Sequence, residues 1–267
     1  QHLKVQGTAG AELNWFTFED YKAPTTPGYE SGYLQNNNFR NRMYNFELLA
    51  LYNNSWGNFD FNATLGGNLY KVNNQTIVTT AKDMKIRDVV ALMSFNEVSV
   101  EPYSYRKQIN SIYGAVNLGW KHMLYFDATL RGDQSSTLPI SNNMYIYPSF
   151  SGSFVFSELL KLGDKLPYGK VRMSWAQVGS DTDPYQLGLV YTKSKFAYPG
   201  YTIGYISNGT IPNKDLKPTK TNSFEMGLEL KFLKNRIGLD FTYYSQLSKN
   251  QIMGMASSST SGYGYRL

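Results

Sequence analysis

The chain has 267 residues, enough for one large domain with a sizeable core, and it contains no cysteine and only two histidines. Disulfide frameworks, thiol nucleophiles and Cys-ligated zinc sites are therefore excluded, and a multi-histidine metal site is nearly excluded. The net charge of +6 is scattered over single residues, which favours solvated loops and a polar interior over a nucleic-acid partner. Aromatic residues make up 15% of the chain and charged residues only 17%, a balance that excludes intrinsic disorder.

A period-two alternation of apolar and polar residues is the strongest pattern along the chain. Between Leu3 and Trp15, apolar or small residues occupy the odd positions and mostly polar residues the even ones. Successive side chains of a strand point to opposite faces, so this pattern predicts a strand with one apolar face. We expect nine such strands, with a tenth starting at Tyr263. In chain order they cover 3–15, 40–52, 59–69, 111–120, 124–131, 148–156, 170–178, 223–232 and 236–243.

The connections between these strands alternate between short and long. His122 lies in a predicted short turn, and 157–160 is a candidate for a brief helix capped by Ser157. The short turns are 53–57, 120–122 and 233–235, with 157–169 of middle length on the same side. The long loops are 16–38, 71–109, 133–146, 179–222 and the residues from 248 onward.

Strands of about ten residues, with short turns at one end and long loops at the other, are typical of an outer-membrane β-barrel. Lipid offers no hydrogen-bond partners, so a spanning sheet must close on itself, with its apolar face toward lipid and its polar face toward the lumen. No apolar run approaches the roughly 18 residues of a transmembrane helix. A soluble β-sandwich also alternates, but several loops of this length are rare in a compact soluble domain. The fold class predicted is an all-β, transmembrane, antiparallel up-and-down β-barrel, of which this chain supplies nine to ten strands.

Three groups of motifs give the sequence a family resemblance. The first is a strand ending in Arg-x-Asp-x-Ser-Ser, followed by Tyr-x-Tyr-Pro-Ser and a later Ser-Glu; the second is Gln-Val-Gly before an Asp and a Pro-Tyr. The third is a Leu-Lys-x-Thr segment before a strand pair split by Phe-x-x-Asn-Arg. In this arrangement the chain resembles the SusC/RagA family of TonB-dependent outer-membrane transporters of Bacteroidota. The groups occupy 131–139, 142–149 and 156–158; then 175–185; then 212–219 and 232–236.

The resemblance implies an organisation larger than this chain. It implies a barrel of 22 strands, with residues 1–267 forming a partial β-barrel domain from its middle. A plug domain, a TonB-contacting segment and C-terminal strands are expected outside this sequence. The resemblance also implies a SusD-like surface lipoprotein as a lid, energy from TonB, ExbB and ExbD acting on the plug, and pairing of transporter–lipoprotein units as dimers.

Two sets of residues are candidates for functional sites. Charged residues on the polar face are predicted to line the lumen or to pair with the plug. Loop residues are predicted on the extracellular side. Asp181 and Asp183, with Asp133 in another loop on the same side, could bind calcium through their oxygens. The favoured interpretation is turn chemistry, in which Asp bonds its own backbone before Pro184. Tyr201 and Tyr263 are either sugar-stacking residues or ordinary loop aromatics. The lumen candidates are Glu12, Asp127, Arg131, Arg172, Glu225 and Asp240; the loop candidates are Asp133, Asp181, Asp183, Tyr185, Tyr201 and Tyr263.

The function indicated is import rather than catalysis. As the resemblance implies, the complete protein would move oligosaccharides or oligopeptides across the bacterial outer membrane. The alternative is a passive porin or a structural barrel without TonB coupling. No set of nucleophile, base and acid emerges from the sequence, so we expect no enzyme activity and no cofactor or metal site.

Overall fold

A computed structural model describes residues 2–160, 163, 166–193, 201, 203–206 and 209–267 of the protein. Strands dominate this part of the chain, as expected for an all-β protein. The strands that form the main sheet are β1 (Leu3–Lys22), β2 (Tyr33–Trp56), β3 (Phe59–Met84), β4 (Phe95–Trp120), β5 (Leu124–Ser135), β6 (Met144–Phe154), β7 (Tyr168–Ser180), β11 (Thr219–Phe232) and β12 (Ile237–Lys249). The short strands are β8 (Tyr191–Lys193), β9 (Gly204–Ile206), β10 (Thr210–Ile211), β13 (Met255–Ala256) and β14 (Tyr265–Arg266).

Among the described residues the main sheet has nine strands in the order β1-β2-β3-β4-β5-β6-β7-β11-β12. Each strand lies beside its predecessor in this set, and the pairings of β4 with β5, β5 with β6, β6 with β7, β7 with β11 and β11 with β12 are antiparallel. The prediction of nine strands in an antiparallel up-and-down arrangement is confirmed.

The predicted tenth strand at Tyr263 is wrong for this sheet. Tyr265–Arg266 instead joins a small separate sheet, where it pairs parallel with Thr210–Ile211 and antiparallel with Met255–Ala256. These two-residue strands link loop segments to one another and do not extend the nine-stranded sheet. A two-residue strand forms through backbone contacts between loops. Such contacts leave no hydrophobic period in the sequence, so the alternation could not predict them.

The two faces of the sheet differ as the alternation predicted. Across β7, β11 and β12 the register aligns Met173, Met226 and Tyr243 on one face, and Arg172, Gly227 and Thr242 on the other. Large apolar side chains on the first face remain exposed, and Phe241 keeps 61% of its surface accessible. Such a continuous exposed apolar surface is typical of a sheet that faces lipid.

The short turns lie where the sequence predicted them. Lys121 and His122 both have positive φ, of 52° and 54°, between β4 and β5. Two consecutive residues with positive φ match the twist of an antiparallel hairpin. Gly57, with φ 59°, sits in the turn between β2 and β3, where glycine adopts this conformation without a steric cost.

Several loops are shorter than the sequence predicted, because the strands continue past the alternating segments. The expected loop at 71–109 contains the end of β3 and the start of β4, and only 85–94 separates these strands. Likewise, only 23–32 separates β1 from β2, where a loop at 16–38 was expected. The strand extensions mix polar and apolar residues without a sustained period of two, so the alternation does not mark them as strands.

The predicted brief helix exists but does not start at Ser157. The helix α1 spans Phe156–Leu160, so Ser157 lies inside it rather than at its cap. The Ser157 hydroxyl is buried without a hydrogen-bond partner among the described residues, and it therefore caps nothing. Short 3₁₀ helices occur at Leu92–Ser94, Ile140–Asn142 and Ser259–Ser261.

Two compact units can be distinguished. The first unit contains Gln1–Thr8, Glu47–Asn68 and Ile109–Leu267, and the second contains Ala9–Phe46 and Leu69–Gln108. In the first unit Leu138, Tyr145 and Leu216 form a buried apolar cluster, and in the second Leu34, Ala81 and Phe95 form another. Within the described residues, no helix has the length and apolarity needed to cross a membrane.

Candidate functional site

Asp127 lies on the polar face of the first unit, in the middle of a hydrogen-bonded row across three strands. Asn117 on β4 donates to it at 2.7 Å, and Ser151 on β6 donates at 2.8 Å. The register places these three residues directly opposite one another. Both partners are neutral donors, so the row leaves the carboxylate with its negative charge on this face.

Arg131 and Asp133 lie two residues apart on β5 and form an ion pair of 2.9 Å. Arg131 also donates to Ser111 at 3.0 Å and lies over the ring of Tyr113, 5.2 Å from its centre. The Tyr147 hydroxyl donates to the second oxygen of Asp133. Asp133 was expected in an extracellular loop, and this is wrong: it lies within β5, buried to 6% exposure. The polar strand extension places it under the loops rather than in them.

Asp181, the first residue after β7, binds two hydroxyls from the end of β5 and its loop. Ser135 donates to its carboxylate at 2.5 Å and Thr137 at 3.2 Å. Ser135 and Thr137 are themselves buried and 2.9 Å apart. The Asp181 side chain therefore connects two different loops, and its role as a turn residue stays a prediction.

An apolar layer packs beside these polar contacts. Leu138, Tyr145 and Leu216 are all at most 5% exposed and pack with Leu187 and Ile252. They come from the β5–β6 loop, from β6 and from the segment before β11. We call the combined cluster the loop anchor; it consists of Asp133, Ser135, Thr137, Leu138, Tyr145, Tyr147, Asp181 and Leu216.

The loop anchor explains why the three motif groups occur together. Asp133 and Ser135 belong to the first group with Tyr145 and Tyr147, Asp181 to the second, and Leu216 to the third. Gly179 of the second group is also accounted for. A Cβ atom there would lie 2.5 Å from the ring of Tyr145 and 3.2 Å from that of Tyr147. The motifs are therefore distant in sequence but form one packed junction at the bases of three loops.

A second charged group lies further along the polar face. Arg172 on β7 reaches past Gly227 on β11 to Asp240 on β12, at 2.9 Å, and to Thr242 at 2.7 Å. A Cβ atom at position 227 would collide with the Arg172 side chain. The glycine therefore leaves the space through which Arg172 reaches Asp240.

The two remaining lumen candidates are more isolated. Glu225 is exposed on β11, opposite Ser174 and Tyr244. Glu12 lies in the second unit, where Asn14 donates to it at 2.7 Å. Four of the six candidates thus take part in the groups described above on the first unit: Asp127, Arg131, Arg172 and Asp240. A role in lining a solute path stays a prediction for all six.

The other loop candidates do not converge on one site. Asp183 and Tyr185 are exposed in the segment after β7, and Tyr185 has a φ of 64°. Tyr201 is 72% exposed, and Tyr263 is half-buried near the small three-stranded sheet. Among the described residues, no group of three or more acidic or histidine side chains is arranged to hold a metal ion. The stacking role of the tyrosines stays a prediction.

The loop between β1 and β2 is held by its own acidic residue. The backbone N–H of Gly28 donates to Glu30 at 2.9 Å, and this hydrogen bond to the charged form lowers the pKa of the Glu30 carboxyl. The loop therefore keeps a charged, locally bonded carboxylate at neutral pH.

Several residues of the site were not predicted from the sequence. Glu47 accepts a hydrogen bond from Tyr113, and Ser111 and Thr137 complete the contacts around Arg131 and Asp181. Only the spacing of Ser135 in Arg-x-Asp-x-Ser-Ser offered a signal, since alternate residues of a strand share a face. The cross-strand partners depend on register, which composition does not reveal.

Comparison with known proteins identifies related chains. The family described as TonB dependent receptor-like, beta-barrel matches residues 3–266. The TonB-dependent receptor P3 of Formosa agariphila is 25% identical over 210 residues, which are 74% of this chain and 20% of that protein. The TonB-dependent receptor SusC of Bacteroides thetaiotaomicron is 30% identical over 147 residues, covering 52% of this chain and 15% of SusC. The chain thus matches a fifth or less of the length of these two relatives.

The fold is also similar to that of solved structures. The RagAB peptide transporter aligns with a TM-score of 0.88 and 20% identity, covering 99% of this chain and 30% of the transporter chain. The siderophore receptor PiuA from Acinetobacter baumannii aligns less well, with a TM-score of 0.55 and 13% identity over 91% of this chain and 37% of the receptor. At these identities the likeness concerns the fold.

Proposed function

Because the chain belongs to the TonB-dependent receptor-like β-barrel family, we propose that it is part of the wall of an energy-coupled importer. The match over residues 3–266 carries this proposal. The nine-stranded sheet is an integral part of the bacterial outer membrane. Its apolar face meets lipid and its polar face borders the path of the solute.

The solute we propose is an oligosaccharide or an oligopeptide. The similarity to SusC and to the RagAB peptide transporter supports this class, and so does the chemistry of the polar face. Asp127 with its amide and hydroxyl neighbours, and the Arg172–Asp240 pair, present both donors and acceptors. Such groups suit a polar solute that exchanges hydrogen bonds with water for hydrogen bonds with the wall.

We propose a SusD-like surface lipoprotein as the partner at the extracellular mouth, with TonB, ExbB and ExbD supplying energy through the plug. The loop anchor supports a lid of this kind, because it fixes the bases of the loops that a lid would contact. A rigid loop base lowers the entropy that is lost when loops dock on a partner. Dimers of transporter–lipoprotein units are part of the same proposal.

Growth assays test the energy coupling directly. A strain lacking the gene should lose growth on one defined oligosaccharide or peptide mixture, and the complete gene should restore it. Inactivation of TonB should abolish the same growth, while growth on the corresponding monosaccharide or free amino acids should continue in every strain. Growth that requires this gene but persists without TonB would identify a passive porin instead.

Purification of the complete protein from outer membranes tests the partner. We expect a surface lipoprotein to co-purify in a one-to-one ratio. Replacing Asp181 with Ala should loosen the loop anchor and reduce the recovered lipoprotein. Asp183→Ala, in the same loop but outside the anchor, provides the matched control. Equal recovery from both variants would argue against the role proposed for the anchor.

A further inference from the structure

In the second unit, the exposed apolar face of β1 and β2 changes abruptly into a basic one. Leu13 and Trp15 on β1 lie on the same face as Thr17, and Thr17 donates to Asn38 on β2 at 3.0 Å. Period two then places Phe46, Arg42 and Arg40 on this face with Asn38. Phe16 stacks on Phe39 on the opposite face, with ring centres 4.4 Å apart. Along β2, the two arginines thus precede Phe46 on this face, and Trp15 on β1 lies beside Arg40.

The arginines lie on the loop side of a membrane-spanning length of strand. More residues than the roughly 9–11 of a tilted spanning strand separate Arg42 from the end of β2 at Trp56. Trp15 is 63% exposed and Phe46 is 50% exposed, as expected of residues in an interfacial aromatic girdle. Arg40 and Arg42 lie beyond Phe46 along β2, toward the loop between β1 and β2.

Two open cavities border Arg40. One, of about 530 Å³, is lined by Trp15, Thr17, Asn38 and Arg42 as well as Arg40. The other, of about 200 Å³, is lined by Gln75, Ile77, Pro102 and Ser104 among others. Arg42 donates to Gln75 at 3.2 Å, which orients its guanidinium along this face.

The chemistry of the lining is that of an anion site. Guanidinium, amide and hydroxyl groups provide donors, and no Asp or Glu is among the described residues lining either cavity. On β1, the Glu19 carboxylate accepts a hydrogen bond from Asn36 at 3.3 Å. Arginine binds phosphate oxygens through paired N–H groups and keeps its charge at any physiological pH.

We propose that Arg40 and Arg42, with Asn38 and Gln75, bind the phosphate groups of outer-leaflet lipid headgroups. The lipid's acyl chains lie against the apolar face that includes Phe46, and its phosphates reach the arginines beside Trp15. The contact fixes the depth of this part of the wall in the membrane. The inference rests on membership of an outer-membrane family and is independent of which solute is transported.

Lipid titration of the complete protein in detergent, followed by native mass spectrometry, tests this site. The probes are diphosphorylated lipid A, the same lipid with its phosphates removed, and inorganic phosphate. We expect the unmodified protein to bind the diphosphorylated lipid about tenfold or more tightly than the dephosphorylated one. The Arg40→Gln/Arg42→Gln variant should lose this preference, and Arg40→Lys/Arg42→Lys should keep most of it.

Lys121→Gln/Lys234→Gln is the matched control, because it removes two positive charges from short turns at the opposite strand ends. It should bind both lipids as the unmodified protein does, and heat-modifiable gel mobility should show that every variant is folded. The proposal is overturned if the unmodified protein binds both lipids equally, or if the glutamine variant keeps its preference. It is also overturned if the control loses the preference, or if inorganic phosphate alone displaces the lipid at matched concentration, which would indicate a site for free phosphate.

Discussion

Gly179 shows how a single missing side chain permits the loop anchor to form. The rings of Tyr145 and Tyr147 occupy the space that a Cβ atom at this position would need. Tyr145 is buried to 5% exposure and packs on Leu138 and Leu216, so its ring has no empty space into which it could shift. The glycine of the Gln-Val-Gly motif is therefore a packing requirement rather than a turn residue.

Gly179→Ala should destabilise the folded protein by about 1–3 kcal/mol, because overpacking displaces the two tyrosine rings. Gly188→Ala is the control, since a Cβ atom there meets nothing within 4 Å. The midpoint of urea unfolding, followed by gel mobility of the complete protein in detergent, measures the difference. Equal midpoints for the two variants would mean that the anchor adapts to the added methyl group.

Asp133 and Asp240 form ion pairs with arginines in very different surroundings. The Asp133 side chain is 8% exposed and also accepts a hydrogen bond from Tyr147, whereas the Asp240 side chain is 54% exposed. Asp133→Asn should cost about 1–3 kcal/mol, since it leaves buried donors poorly paired. Asp240→Asn should cost less than about 1 kcal/mol, as exposed pairs do. Urea unfolding of both variants compares them, and a larger loss for Asp240→Asn would contradict this order.

At the scale of the elements, the sequence predicted where strands cross the membrane better than where they end. The alternation at 59–69 located β3, but the strand continues to Met84 and has 26 residues. Lipid demands apolar side chains only over the roughly 9–11 residues of a spanning segment. Beyond it, segments such as 73–76, Asn-Asn-Gln-Thr, pair through their backbones while both faces are polar. Backbone pairing leaves no hydrophobic period, so these extensions were predicted as loops.

The residues of the candidate site show a similar limit: the sequence predicted which face each one lies on, but not its partners on other strands. Arg131, Asp127 and Arg172 were placed on the correct face by period two alone. Their partners Ser151 and Asp240 lie on other strands, and the contacts depend on register. The alternation excludes a slip of one residue, but the turns must exclude a slip of two. Asp133 was assigned to a loop because its strand extends further than the apolar pattern.

The two faces of one strand can be compared at neighbouring positions of β3. Ala63 lies on the apolar face and Asn62 on the polar face. Ala63→Arg should reduce the folding free energy in lipid vesicles by about 2–4 kcal/mol, while Asn62→Arg should have a much smaller effect. The folded fraction of the complete protein in vesicles at increasing urea measures both. Similar losses at the two positions would mean that the apolar face does not contact lipid.

At the scale of the whole molecule, the described main sheet has two strands with a neighbour on only one side. These are β1 and β12, and no pairing between them is present in the described part of the chain. Each presents a row of backbone N–H and C=O groups that lipid cannot satisfy. A sheet of this kind is stable in a membrane only when further strands complete the barrel.

Residues 1–267 expressed alone should therefore fail to fold in vesicles, whereas the complete gene product should fold. The cause is the unpaired edges, because the loop anchor and both apolar clusters are contained within these residues. Heat-modifiable gel mobility and resistance to trypsin report folding in both cases. Refolding of the isolated chain into a protease-resistant species with the mass of a single copy would show that its edges can pair with each other. Protease-resistant species containing several copies would instead show that the edges remain open and pair between molecules.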